Sequence, residues 1–238
     1  MQNEFQKRIL KDAWKKETNL VFNLDISKPI SSERDQQNLL QQSFQICRGL
    51  RKYVAAIKVN RPLIDAVGLY PIKQLIKEVK VPFIADFKLA DITYINNIIA
   101  EHAFNVNFSA ITAHAFIGSD PIQAMMKEFP NKGIILVVTQ EEANSEFLAP
   151  NLIPLSMLAK DLGAAGVTVP SARPDDITQV RSFVGDDILI FAANTQGNYG
   201  EAVKAGANFE TIGRAIYNAP DPAEAALTIM ERIREAQE

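Results

Sequence analysis

The sequence is poor in the residues that form disulfides and metal sites. Its 238 residues include one cysteine, Cys47, and two histidines, His102 and His114. A single cysteine forms no disulfide within the chain, which favours a reducing compartment, the cytoplasm. One cysteine and two histidines also fall short of the four ligands of a structural zinc site. The sequence therefore predicts a cytoplasmic protein whose fold is held together without disulfides or zinc.

Long apolar runs and an excess of basic charge are also missing. No stretch reaches the roughly 18 consecutive apolar residues of a membrane span. The net charge is -3, which argues against a general binder of nucleic acid or of anionic membranes. The sequence is 47% hydrophobic and 22% charged, a composition with which the chain can bury a sizeable core. Residues 1–19 show helical amphipathicity and are interpreted as a helix packing on the domain rather than a signal peptide.

Eight short apolar, β-branched runs alternate with amphipathic helical stretches. They cover residues 20–25, 54–60, 81–88, 110–116, 133–139, 166–171, 188–194 and 209–213. Because polar alternation is largely missing within them, most are typical of parallel strands buried on both faces. Eight strand–helix repeats predict one α/β domain over residues 1–238, a (β/α)8 TIM barrel with an extra N-terminal helix. A doubly wound open sheet is the alternative, but it usually has fewer strands and a glycine-rich turn after the first.

Helix predictions fill the intervals between the strands. They include residues 37–50, 63–77 with an interruption at Pro71, 92–104 and 221–237. Asp221 is predicted to be the N-cap of the last helix, because an acceptor side chain there precedes a proline at the first helical position. Residues 140–154 are predicted to form one long loop.

Charged residues stand at the carboxyl ends of the predicted strands, which is where barrel enzymes place their chemistry. Lys58 interrupts an apolar strand, and an isolated buried ammonium group is costly unless it is paired. Asp86 and Lys88 are two residues apart on the next strand and therefore point the same way, with Asp91 just beyond. We predict that these four residues form an array of two cations and two carboxylates. The alternative is a charge network that only closes the barrel mouth, or strand-end charges in solvent.

Residues 84–92, Ile-Ala-Asp-Phe-Lys-Leu-Ala-Asp-Ile, resemble the Asp-x-Lys-x-x-Asp signature of orotidine 5'-phosphate decarboxylases in their shorter, archaeal-like form. The signature alone is shared by a wider superfamily. The similarity nevertheless covers nearly the whole chain after the N-terminal helix, and it is specific when Lys58 and the Gly-Arg-x-Ile-Tyr turn are included. The further matching segments are residues 24–25, 56–59, 169–174, 195–197 and 212–217.

The resemblance implies decarboxylation of orotidine 5'-phosphate to UMP in de novo pyrimidine biosynthesis, without metal or organic cofactor. Lys88 would donate a proton to C6 of the pyrimidine as carbon dioxide leaves, and would stabilise the developing carbanion. Asp86 would lie beside the substrate carboxylate, where like-charge proximity disfavours the bound ground state. Lys58 and Asp91 would hold this array in register, with Asp91 supplied across the interface of a homodimer.

The resemblance also implies which residues bind the rest of the nucleotide. Asp25 would accept hydrogen bonds from the ribose hydroxyls. Gln196, the backbone amides of Gly213 and Arg214, and the Arg214 guanidinium would hold the phosphate, for which the arginine fork is well suited.

Three positions near the expected site need separate interpretation. Ile95 stands where the family has a threonine that contacts the substrate of the partner subunit. Residues 139–145 lack the family's Met-Ser pair near the pyrimidine, which leaves Gln140 and Ser145 as possible base-reading residues. His114, at the end of the fourth strand, is interpreted as a structural histidine.

Two other functions remain open at this point. One is a magnesium-dependent sugar-phosphate decarboxylase or a hexulose-phosphate aldolase of the same superfamily. Those enzymes carry a metal-binding glutamate at the position of Lys58, and a lysine there would repel the magnesium ion. The other is a non-catalytic nucleotide-binding barrel that keeps the phosphate site.

Overall fold

A computed structural model describes residues 2–141, 146–193, 195 and 197–238 of the chain. Within these ranges eight parallel strands close into a barrel in the order in which they follow one another in the sequence. Each strand overlaps one of the eight predicted runs, so the predicted (β/α)8 barrel is confirmed. The strands are β1 (Leu20–Leu24), β2 (Ala56–Asn60), β3 (Phe83–Leu89), β4 (Ala110–His114), β5 (Gly133–Val137), β6 (Gly166–Pro170), β7 (Leu189–Ala193) and β8 (Phe209–Ile212).

Helices precede the first strand and follow every strand. No helix within the described ranges is long and apolar enough to cross a membrane. A 3-10 turn, Ala115–Ile117, follows β4. The α-helices are α1 (Glu4–Lys16), α2 (Glu33–Leu50), α3 (Arg61–Val67), α4 (Leu69–Val79), α5 (Thr93–Asn105), α6 (Ser119–Glu128), α7 (Leu152–Leu162), α8 (Pro174–Val184), α9 (Glu201–Lys204), α10 (Arg214–Tyr217) and α11 (Pro222–Glu235).

The predicted N-terminal helix, α1, covers the amino end of the barrel. Asn3 and Gln6 form a capping box at its start. Phe5 and Ile9 are buried in a cluster with inward-facing strand residues. The Gln6 side chain donates hydrogen bonds to the backbone carbonyls of Ala165 at 3.1 Å and Asp187 at 2.9 Å. The amino end is thus filled by packed side chains, which leaves the carboxyl end of the barrel for a site.

The break in the predicted helix 63–77 lies at Gly68, so its predicted position at Pro71 is wrong. Gly68 has φ +80°, a left-handed conformation that glycine adopts without a steric penalty, and it separates α3 from α4. Pro71 lies in the first turn of α4, where its missing N–H would have had no partner within the helix.

Of two further predicted helix boundaries, one is confirmed and one is wrong. The Asp221 side chain accepts hydrogen bonds from the backbone N–H groups of Ala223 at 2.8 Å and Glu224 at 3.1 Å, so the predicted N-cap is confirmed. The predicted loop 140–154 is too long, because α7 begins at Leu152. Residues 142–145 of that loop lie outside the described residues.

The side chains that point into the barrel change from apolar at its amino end to largely polar at its carboxyl end. The apolar layer contains Val21, Ala56, Ile84, Ala110 and Ile135. Side chains two residues apart on a strand share a face. Two residues further along the same strands stand, in the same order, Asn23, Lys58, Asp86, Thr112 and Val137. The polar groups of a site are therefore presented at the carboxyl end.

Candidate active site

Three charged side chains meet at the carboxyl end of β2 and β3. The Nζ atoms of Lys58 and Lys88 each lie 2.9 Å from the same carboxylate oxygen, Oδ2 of Asp86. The side chain of Asp86 is only 2% exposed and that of Lys58 12%, whereas that of Lys88 is 41% exposed. The cluster therefore consists of a buried carboxylate between one enclosed ammonium group and one that is open to the cavity.

The Asp86 carboxylate is held in its charged form by its two lysine partners. Burial alone would raise the pKa of this carboxyl, but the ammonium groups of Lys58 and Lys88 outweigh burial and hold the pKa well below its ordinary value. Asp86 is therefore ionised throughout the neutral pH range. A buried carboxylate shared by two ammonium groups leaves one positive charge in excess at the cavity wall.

A bulge in β3 sets the position of Lys88. The pairing between β3 and β4 shifts between Ala85 and Leu89, and Lys88 has φ +49°, in the left-handed region that residues with a side chain rarely adopt. The backbone N–H of Lys88 donates to Oγ1 of Thr112 at 2.9 Å. The same Thr112 hydroxyl donates to Oδ1 of Asp86, also at 2.9 Å.

A cavity of about 290 Å³ opens directly beside the three charges. Asn23 and Asn60 contribute to its wall, and each has a side-chain oxygen that is buried and has no hydrogen-bond partner within the described residues. Burying a polar atom without a partner costs free energy, so these two oxygens are suited to accept hydrogen bonds from a polar ligand. The lining residues are Asn23, Asp25, Lys58, Asn60, Asp86, Lys88, Val137, Thr139, Gln140, Glu141, Thr168, Pro170 and Ala193.

A second cavity, also of about 290 Å³, adjoins the first and shares Asn23 and Asp25 with it. Gly213 and Arg214 line this second cavity. A Cβ atom on Gly213 would lie 2.8 Å from both the Asn23 carbonyl oxygen and Oδ1 of Asp25, so only glycine fits there. The wall of the second cavity therefore combines the backbone at Gly213 with the guanidinium group of Arg214. Gln196, the other residue expected here, lies outside the described residues.

Asp25 stands where the two cavities meet. Its Oδ1 is buried and has no hydrogen-bond partner in the described part of the chain. Burial, together with the neighbouring Asp25 carboxylate, raises the pKa of Tyr217 to about 12. Tyr217 therefore stays protonated and can donate towards Asp25, leaving the remaining acceptor capacity of the carboxylate for a ligand.

Asp91 lies apart from the other three charges within one chain. Its Oδ1 accepts a hydrogen bond from the backbone N–H of Ile92 at 2.7 Å. The Asn96 side chain fixes the Asp91 backbone through bonds of 3.2 and 2.6 Å. No ion pair of Asp91 occurs among the described residues. One chain alone therefore assembles three of the four predicted charges, and Asp91 is exposed at the start of α5 beside exposed Ile92 and Tyr94.

The wall formed by the ends of β4 and β5 contains the candidates for base recognition. Gln140 lines the first cavity, and its Nε2 lies 3.5 Å from Nε2 of His114. The His114 ring stacks on Phe116 with a centroid distance of 4.6 Å. Burial, and then the Lys88 ammonium group, lower the pKa of His114, so its ring is neutral at pH 7. Ser145, the other sequence candidate, lies outside the described residues.

Sequence reasoning missed Asn23, Asn60 and Thr112. A signal for each was present, because each lies two residues from a charged or histidine position on the same strand and so shares its face. Asn23 precedes Asp25, Asn60 follows Lys58, and Thr112 precedes His114. Considering the residue two positions before or after each strand-end candidate would have identified all three.

Buried charges and unpaired polar atoms at the carboxyl end of a closed (β/α)8 barrel define the class of a barrel enzyme. A family model described as "Orotidine 5'-phosphate decarboxylase / HUMPS family" matches residues 18–229. The chain therefore belongs to this family. Within the described residues no group of three or more histidine, cysteine, aspartate or glutamate side chains is placed to hold a metal ion.

Relatives and solved structures show the same similarity over nearly the full length. Orotidine 5'-phosphate decarboxylase from Methanococcoides burtonii is 32% identical over 224 residues, 92% of this chain and 98% of the relative. The crystal structure of the Pyrococcus horikoshii enzyme matches with a TM-score of 0.80 and 34% identity, covering 90% of this chain and 99% of that one. The Methanocaldococcus jannaschii enzyme complexed with the inhibitor BMP matches with a TM-score of 0.80 and 27% identity, covering 91% and 98%.

Proposed function

We propose that this protein converts orotidine 5'-phosphate to UMP and carbon dioxide, as a step of de novo pyrimidine biosynthesis, without metal or cofactor. The observation that carries the proposal is the cluster in which Lys58 and Lys88 share the buried Asp86 carboxylate beside the first cavity. Family membership and the names of the relatives, which are 32–37% identical, support it.

The proposed chemistry uses Lys88 as the proton donor. The bond between C6 of the pyrimidine and the substrate carboxylate breaks, and its electron pair stays on C6. The Lys88 ammonium group stabilises this charge and then transfers a proton to C6, giving UMP. Asp86 lies beside the substrate carboxylate, so repulsion between the like charges is relieved as carbon dioxide leaves. Lys58 keeps Asp86 charged and in place.

The two cavities divide the nucleotide between them. The pyrimidine lies in the first cavity, beside Lys88 and Gln140, and the phosphate lies in the second, against Gly213 and Arg214. Asp25, at the junction, accepts hydrogen bonds from the ribose. Gln196 completes the phosphate site in this proposal. Binding energy from the remote phosphate then serves to position the ring against Lys88. The inhibitor-bound Methanocaldococcus jannaschii relative supports a ligand site in this fold.

The position of Lys58 argues against the magnesium-dependent members of the superfamily. Its ammonium group already occupies the charge-compensating position 2.9 Å from the Asp86 carboxylate. A divalent cation at the same carboxylate would meet two ammonium groups and be repelled. A non-catalytic nucleotide-binding barrel would have no use for such a charge cluster, which is costly to bury.

We further propose a cytoplasmic homodimer in which Asp91 enters the site of the partner subunit. The side chains of Ile92 and Tyr94, next to Asp91, are 67% and 70% exposed in the single chain. Apolar surface beside an exposed carboxylate is suited to an interface that carries the carboxylate across. Cys47 is buried and forms no disulfide, in keeping with a reducing compartment.

The proposed activity is tested by incubating the purified protein with orotidine 5'-phosphate. We expect loss of absorbance in the orotate band and the appearance of UMP, identified by chromatography against a standard. A panel of ketose phosphates with added magnesium tests the alternative activity, and we expect no turnover of these. Turnover of a ketose phosphate but not of orotidine 5'-phosphate would contradict the proposal.

Arg214→Ala is expected to weaken substrate binding with a smaller effect on turnover. Loss of hydrogen bonds between a guanidinium and a phosphate should raise KM for orotidine 5'-phosphate by about 10- to 100-fold. Steady-state kinetics measure this change. Arg51→Ala, at the exposed end of α2, is the matched control and should leave KM unchanged. An unchanged KM in Arg214→Ala would remove this side chain from the phosphate site.

A further inference from the structure

We infer that Thr112 is a positioning residue of this reaction, which fixes Lys88 and Asp86 relative to one another through a single hydroxyl group. The inference rests on the proposed function and concerns a side chain that does not itself line the first cavity. Thr112 is 1% exposed and lies on β4, the strand that pairs with β3 on both sides of the bulge.

The bulge leaves Lys88 dependent on this side chain. Ala85 pairs with Ile111, and the next paired residues are Leu89 and Ala113. Four steps along β3 thus correspond to two steps along β4, so β3 has two extra residues there. The extra residues fall outside the register of paired residues, and the Lys88 N–H donates to the Thr112 hydroxyl at 2.9 Å. A side chain on the neighbouring strand therefore holds the backbone of the bulge.

The backbone conformation of Lys88 adds to this dependence. Its φ of +49° lies in the left-handed region, which a residue with a Cβ atom adopts at a steric cost. The direction of the lysine side chain follows from that backbone. The bond to Thr112 thus contributes to aiming the Lys88 ammonium group at the cavity.

The chemistry of the two partners fixes the direction of both hydrogen bonds. The Asp86 carboxylate is ionised and can only accept, so the Thr112 hydroxyl gives its one proton to Oδ1. The Lys88 backbone N–H can only donate, so it uses a lone pair of the same oxygen. Because Oδ1 is held by Thr112 and Oδ2 by both lysines, the carboxylate plane cannot rotate without breaking a bond.

Thr18 provides a matched control at the opposite end of the barrel. It is 3% exposed, and its hydroxyl also donates one hydrogen bond, to the Tyr53 carbonyl at 2.7 Å, and accepts one, from the Leu20 N–H at 3.1 Å. It precedes β1 at the amino end and so lies away from the charge cluster. Thr18→Val removes the same groups as Thr112→Val without touching the site.

The test compares kcat and KM for orotidine 5'-phosphate in Thr112→Val, Thr112→Ser and Thr18→Val, with the melting temperature of each. Misplacing the proton donor should lower kcat of Thr112→Val by about 10- to 100-fold, with KM changed by less than about threefold. Thr112→Ser, which keeps the hydroxyl, should retain kcat within about threefold. Thr18→Val should lose stability like Thr112→Val but keep the kcat of the unaltered protein.

Equal kcat values in Thr112→Val and Thr18→Val would overturn the inference, as would a rise in KM at unchanged kcat. If Thr112→Val does not fold, the pair Thr112→Ser and Thr112→Ala decides, because these two variants differ only in the hydroxyl group; equal kcat values overturn the inference. If the unaltered protein does not turn over orotidine 5'-phosphate, the proposed function itself is wrong. An active parent with unaffected Thr112 variants contradicts only the role of Thr112.

Discussion

Replacement of Lys88 by alanine is expected to lower kcat for orotidine 5'-phosphate by about four orders of magnitude or more. The substitution removes the proton donor, worth about 10²- to 10⁴-fold, and a positive charge beside the developing carbanion, worth about 10²- to 10³-fold. The protein should remain folded, because the Lys88 side chain is 41% exposed and Lys58 still neutralises Asp86. Single-turnover kinetics with excess protein measure the residual rate.

Lys77→Ala is the control for this experiment, since Lys77 lies exposed in the last turn of α4, outside both cavities. It should have the kcat and melting temperature of the unaltered protein. Lys88→Arg is a second control that retains the charge but not the compact ammonium donor, and we expect it to recover little activity. A loss of less than about tenfold in Lys88→Ala would rule out Lys88 as the proton donor.

Mixing Lys88→Ala with Asp91→Ala is expected to give more activity than either variant has alone. If each site combines Lys88 of one chain with Asp91 of its partner, a hybrid dimer contains one intact site and one that lacks both residues. Random exchange in a two-fold dimer gives half hybrids, so about a quarter of all sites should be active. Asp91→Ala alone should lose about 100-fold in kcat/KM, because the array of two cations and two carboxylates then lacks one carboxylate.

The control mixes Lys88→Ala with the double variant Lys88→Ala/Asp91→Ala, from which no site with both residues can form. This mixture should stay inactive. Subunit exchange is verified by mass spectrometry of chains with different tags. Exchange without recovered activity would contradict the shared site and would leave Asp91 with the local contacts to Ile92 and Asn96 that the single chain shows.

The barrel could be predicted because its strands are buried on both faces. The run 134–138 has no polar residue, and polar alternation is largely missing from most of the others. Eight such runs alternate with helical stretches, a pattern that few folds other than a closed barrel accommodate. The N-cap at Asp221 was also predictable, since an acceptor followed by proline is a local signal. Local chemistry and periodicity were sufficient for these features.

The details around Lys88 could not be predicted from the same signals. A bulge changes the register between two strands, and it depends on how β3 meets β4 rather than on the residues of β3 alone. The left-handed backbone of Lys88 follows from that pairing. The two hydrogen bonds of Thr112 therefore depend on how β3 pairs with β4. From the sequence, only its position on the same strand face as His114 indicated a place in the site.

The position of Asp91 shows a similar limit. The spacing from Asp86 to Asp91 suggested one compact array of four charges, but β3 ends at Leu89 and Asp91 lies on the turn that leads into α5. A change of direction after a strand end cannot be read from residue spacing. The role of Asp91 across a dimer interface, which the resemblance implies, stays a prediction that the mixing experiment tests.

The central claim, that a lysine–aspartate–lysine cluster decarboxylates orotidine 5'-phosphate without metal, is tested most directly by turnover of metal-stripped protein. The protein is dialysed against a chelator, its metal content is checked by elemental analysis, and kcat/KM is measured with and without added magnesium. We predict the same kcat/KM for orotidine 5'-phosphate in both samples. No formation of UMP in either sample, or formation only after magnesium is added, would contradict the claim.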